Sequence, residues 1–112
     1  MESFADIEMR DLRDKLFAYC EKKKVYDFTL TIHSLSGAKL HIQYVCTVMN
    51  AGRHCLYITQ SVGNERDRQL TDQEVFERTS PGSLLINLYK AVDRRHKGIV
   101  KRKNALLKLN PR

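Results

Sequence analysis

Tyr26-Asp27-Phe28-Thr29-Leu30-Thr31-Ile32-His33 alternates apolar and polar residues at every step. Side chains of an extended strand point to opposite faces in turn, so this stretch predicts a half-buried strand. Leu40, Ile42, Tyr44, Cys46 and Val48 repeat the pattern, with His41, Gln43, Val45, Thr47 and Met49 on the other side. A third alternation sets Leu56 and Ile58 against Cys55, Tyr57 and Thr59. Ser34-Leu35-Ser36-Gly37 and Asn50-Ala51-Gly52 separate the three runs, and both read as turns, the second a tight hairpin. Consecutive strands joined this briefly predict an antiparallel meander.

The flanks read as helices. Ser3 with Asp6 three residues on is a helix cap, and Met9, Leu12, Leu16, Phe17 and Cys20 form one apolar stripe. A first helix is expected over about 4–22, closed by Lys22, Lys23 and Lys24, whose charge suits a helix C-terminus. Thr71-Asp72-Gln73-Glu74 is a capping box that opens a short helix over 72–78. After Pro81, a final helix carries Leu84, Leu85, Leu88, Ala91 and Val92. Gly98 weakens it, yet Ile99, Val100, Leu106 and Leu107 keep helical spacing among the bases, as an amphipathic continuation would. The expected fold is α+β, a three-stranded antiparallel meander with N- and C-terminal helices packed on one face. Residues 1–98 form a single α-β-β-β-α domain, and 99–112 form a basic C-terminal extension. The sheet face away from the helices is rich in short hydroxyls and is left open.

Size and composition narrow the function. At 112 residues, with 42% hydrophobic and 29% charged residues, the chain supports one core. No apolar run reaches the length of a membrane span, and the acidic start lacks the features of a secretory signal. Cys20, Cys46 and Cys55 are odd in number and sit in apolar patterns, which fits a reducing, cytoplasmic or nuclear location. The histidines and cysteines show no metal-ligand spacing, so neither a metal nor a cofactor is expected. His54 and Cys55 are neighbours on one strand and point apart, which denies them a shared proton. No phosphate loop or nucleophile elbow is present, and no catalytic residues are assigned.

Charge carries the remaining signal. Residues 90–112 hold nine Lys or Arg against Asp93 alone, whereas residues 1–89 hold eleven bases and twelve acids. A cationic block of this kind calls for an anionic partner. Arg94, Arg95, Lys97, Lys101, Arg102 and Lys103 are the candidate phosphate contacts. Lys22, Lys23, Lys24 and Lys39 can extend that track, and His33, His41 and Tyr57 on the open sheet face can touch bases or sugars. The expected activity is non-catalytic RNA binding. The rival is a protein-interaction or assembly subunit that forms a homo- or heterodimer through its sheet face or edge.

The order of elements resembles two RNA-binding families. Residues 8–22 are similar in position to the first helix of the double-stranded RNA-binding domain, and Ser36 to His41 to its first turn. The lysine-rich helix start of that family has no counterpart in Thr71–Glu74 or in Pro81-Gly82-Ser83. Leu12 to Gly37 also resembles the Alu-domain proteins of the signal recognition particle: an amphipathic helix, a Lys-rich junction, then a strand opened by Val25-Tyr26. Gly98-Ile99-Val100-Lys101-Arg102-Lys103 is similar to the end of their last helix. Their pattern lacks the short helix seen within residues 63–82 here. This second resemblance implies RNA binding on the sheet face and a heterodimeric partner.

Overall fold

A computed structural model describes residues 2–33, 42–63 and 65–109. The chain is α+β. Helix α1 (Phe4–Lys23) is followed by strands β1 (Phe28–His33), β2 (Ile42–Asn50), β3 (His54–Val62) and β4 (Arg68–Gln69), then α2 (Asp72–Arg78) and α3 (Pro81–Leu109). The sheet is antiparallel throughout, in the order β1-β2-β3-β4, so β1 is an edge. It has four strands, one more than the alternation predicts. β4 is two residues long, pairing Gln69 with Thr59 and Arg68 with Gln60, and so short a piece leaves no alternation to read.

Local chemistry places each helix end. At α1 the Ser3 hydroxyl accepts from the Asp6 N–H, and the Asp6 carboxylate accepts from the Ser3 N–H. Thr71 and Glu74 repeat that exchange at α2. At the other end of α1, Lys24 adopts φ 54°, ψ 45°, and its N–H donates to the carbonyls of Cys20 and Glu21. This left-handed cap is a site that glycine ordinarily fills. Gly52, at φ +82°, supplies the same handedness in the hairpin between β2 and β3. The turn expected at Ser34–Gly37 lies outside the described residues.

One face of the sheet is buried. Leu30, Tyr44, Cys46, Val48, Leu56 and Ile58 meet Met9, Leu12, Leu16 and Cys20 of α1 and Leu84, Leu88 and Val92 of α3 in a single core. The opposite face carries Thr29, Thr47 and Tyr57 in one cross-strand row and Thr31, Val45 and Thr59 in the next. The predicted alternation holds along all three long strands.

α1 and α3 run in the same direction. Tyr19 packs on Tyr89 at 4.6 Å between ring centroids and donates its hydroxyl to Asp93 at 2.6 Å. Four residues later, Lys23 lies 3.9 Å from the same carboxylate, and its carbonyl is 3.1 Å from His96 Nδ1. α1 ends there. α3 continues unbroken through Gly98 to Leu109, and residues 97–108 are exposed.

Two tests follow from these ends. Lys24→Gly removes the penalty of a left-handed side chain, about 1–2 kcal/mol, less the entropy of a new glycine; chemical denaturation should show a net gain of about 0.5–1 kcal/mol. Glu74 accepts from Arg68 at 2.8 Å and from the Thr71 N–H, which together hold its carboxyl down to about 2. A lowered carboxylate stabilises the fold above its ordinary value of 4.5, and that contribution drains away as pH falls toward about 2. Glu74→Gln should therefore flatten the dependence of stability on pH in that window. An unchanged profile would remove Glu74 from the acid response.

Candidate nucleic-acid interface

Lys90, Arg94, Lys97, Lys101, Asn104 and Lys108 follow one another along α3 at steps of four, three, four, three and four residues. Such steps return to the same side of a helix, so these side chains form one row. Asn87 leads into it from one turn earlier. The row begins over the body of the protein and runs out along the exposed end of the helix.

Over the body, the row faces the sheet edge. A cleft of about 730 Å³ opens between β1 and α3, lined by Leu30, Thr31 and Ile32 on one wall and by Asn87, Lys90, Asp93, Arg94 and Lys97 on the other. A second hollow continues it past Thr29 toward Ala91, Arg94 and Arg95. Thr29 and Thr31 belong to the open face of the sheet. The cleft thus links the cationic row to the hydroxyl-bearing face around the β1 edge.

Asp93 is the one acid of α3 and sits in the cleft wall. It is engaged by the Tyr19 hydroxyl and by Lys23, whose ammonium also lies 5.7 Å from the centre of the Tyr19 ring. That hydrogen bond, more than burial, raises the Tyr19 phenol above its ordinary value, because the proton is held between two oxygens. The arrangement draws the only negative charge of the helix toward α1.

The residues singled out in the sequence separate into groups. Arg94 and Lys97 join Lys90 in the cleft, while Lys101, Arg102 and Lys103 lie exposed on the projecting helix. Arg95 and Arg102 occupy a different line, the continuation of the Leu84-Leu88-Ala91 stripe past the end of the core. Lys22 and Lys24 are exposed at the end of α1, with Lys24 serving as its cap and Lys23 turned to Asp93. Lys39 and His41 lie outside the described residues. His33 closes β1 opposite Gln43, and Tyr57 is 41% exposed on the open face. Asn87, Lys90, Asn104 and Lys108 complete the row and were not singled out; the four-three spacing from Lys90 is the signal that finds them.

His54 stacks on Phe17 at 5.0 Å, with its Nε2 3.7 Å from Glu21 Oε1. Of the three thiols, Cys20 and Cys46 are buried and Cys55 is half-exposed, because its strand turns it to the open face. Burial pushes the Cys20 thiol up to about 11 and the Cys46 thiol to about 12. Among the described residues, no group of three or more His, Cys, Asp or Glu is placed to hold a metal ion. No described helix is long and apolar enough to cross a membrane.

No protein-family model, curated protein or solved structure matches this chain.

A thiol reagent at mildly alkaline pH should label the folded protein at Cys55 alone, with Cys20 and Cys46 reacting only on unfolding. Peptide mapping of the labelled chain reads this directly, and modification of Cys46 in the native protein would contradict the packing.

Proposed function

We propose that this chain is a non-catalytic RNA-binding module of a ribonucleoprotein, using the cationic row of α3 for phosphate contacts. The observation that carries the reading is the single-sided row from Lys90 to Lys108, with Asp93 drawn aside by Tyr19 and Lys23. Five bases and no acid occupy residues 97–109. A straight helix with cations at every turn follows a phosphate backbone without selecting sequence. Where the row passes β1, a strand of RNA can continue around the sheet edge to Thr29, Thr31 and Tyr57. There a hydroxyl-rich surface and an aromatic ring suit ribose and exposed bases. The resemblance in element order to Alu-domain proteins favours RNA over DNA.

A second reading rests on Met49 and Tyr57, 40% and 41% exposed on the open face, with Val45 on the same strand as Met49, and on the edge that β1 forms among the described residues. An assembly subunit would use these to pair with another sheet, in the cytoplasm or the nucleus. Salt separates the two. A phosphate interface weakens steeply as salt rises, and an apolar sheet interface does not.

Neutralising Lys97, Lys101 and Lys108 together should weaken binding to every RNA sequence alike. The slope of log affinity against log salt should fall by about 2, each lost phosphate contact on a single strand being worth about 0.7. Fluorescence anisotropy with a labelled RNA at several salt concentrations measures both. An unchanged slope would take the projecting helix out of the interface.

A further inference from the structure

The projecting part of α3 carries a second, apolar face. Ile99, Val100, Leu106 and Leu107 are 38%, 42%, 60% and 65% exposed. Ile99 and Leu106 extend the seven-residue repeat of Leu85 and Val92, which pack in the body. Past Lys97 the same stripe has no element of its own chain beneath it among the described residues. Lys103 lies between these apolar positions, one turn from Ile99 and from Leu106. Whatever covers this face must bury aliphatic side chains and present a carboxylate to Lys103 and Arg102. A second projecting helix cannot do so, since it holds five bases and no acid over residues 97–109.

The outer stripe of α1 has that complementary chemistry. Phe4, Ile7, Asp11, Asp14 and Ala18 follow at steps of three, four, three and four residues, and all are exposed. Phe4 is 66% and Ile7 49% exposed. Of the nearby cations, Arg10 is engaged by Glu2 and Arg13 by Asp72 through two hydrogen bonds of 3.1 and 2.8 Å. Lys15 pairs with Asp11 of the stripe itself at 2.9 Å, across one exposed helical turn where such a pair is weak and can be exchanged. Because α1 and α3 run in the same direction, the projecting end of α3 points away from the start of α1. The two stripes lie toward opposite ends of a molecule 57 Å long. One chain cannot bring them together.

We propose that two copies of this chain do, as a two-fold dimer in which each projecting helix lies antiparallel across the α1 stripe of the other copy. Setting Leu106 and Leu107 against Ile7 brings Arg102 and Lys103 to Asp11 and places Asp14 level with Ile99 and Val100, one turn from Lys103, with Ala18 a further turn on at the level of Arg95. A two-fold axis makes the contact twice, so the assembly closes as a dimer. The contact leaves the row of Lys97, Lys101 and Lys108 on the other side of the helix. It therefore goes beyond the RNA reading and fails separately from it.

Sedimentation velocity of the full chain, across concentrations and at two salt levels, should find a reversible dimer that weakens as salt rises. Ile99→Asn with Leu106→Gln should give a monomer that still binds RNA with its salt dependence intact, since no charge is changed. Asp11→Lys with Asp14→Lys should also give a monomer. Adding Arg102→Glu and Lys103→Glu to that chain should restore the dimer, a rescue that a damaged fold would not show. A wild-type monomer at every concentration would overturn the proposal. So would a dimer indifferent to the charge reversals, or assemblies longer than two.

Discussion

Leu84, Leu88 and Val92 fix the direction of every cation in the C-terminal third of the chain. Each is no more than 1% exposed, locked against α1 and the inner face of the sheet. A helix is a rigid rod with a set angle between residues, so burying one stripe determines where all the others point. The burial places Lys90, Arg94 and Lys97 over the β1 edge and sends the row on to Lys108. Gly98 leaves the direction intact, at a cost of about 1 kcal/mol relative to alanine. A methyl group there would meet no neighbouring atom within 4 Å, so the glycine answers no packing need.

The polar contacts along the helix pair refine that orientation. Asp93 is reached by a hydroxyl from one turn of α1 and by an ammonium from the next. The His96 ring then meets the carbonyl of Lys23, one of the last groups of α1 without a helical partner. These contacts come where α1 ends and α3 leaves the body. They give the projecting helix a fixed base, although the core reaches no further along α3 than Val92.

Much of this architecture is legible in the residues because it follows from period. The two-residue alternation of Phe28–His33, Ile42–Asn50 and Cys55–Thr59 gives the buried and open faces of the sheet, and both capping boxes mark the first residue of their helices. What escapes reading are features set by neighbours far along the chain. β4 exists because Arg68 and Gln69 reach β3, and Arg68 is also held by Glu74 of α2. His54 is covered because Phe17 of α1 lies over it. Lys24 takes a glycine-like conformation that nothing in its identity announces. The charge block shows which part of the chain concentrates the cations. The division of its bases between a row facing the β1 edge and a line continuing the core stripe depends on which side of α3 is buried.

That division bears on what the projecting helix is for. If phosphate binding were its whole role, isolated cations on a short polar helix would serve, and Ile99, Val100, Leu106 and Leu107 would be a liability in water. If the apolar face were meant for a lipid surface, Lys103 at its centre would be misplaced and would have to bend its ammonium out of the hydrocarbon. A protein helix that carries both aliphatic side chains and carboxylates satisfies the two requirements together. The exposed stripe of α1 has that composition, and the parallel course of α1 and α3 prevents each chain from using its own. Lys97, Lys101 and Lys108 face the other way, so that contact leaves them free for the proposed RNA partner.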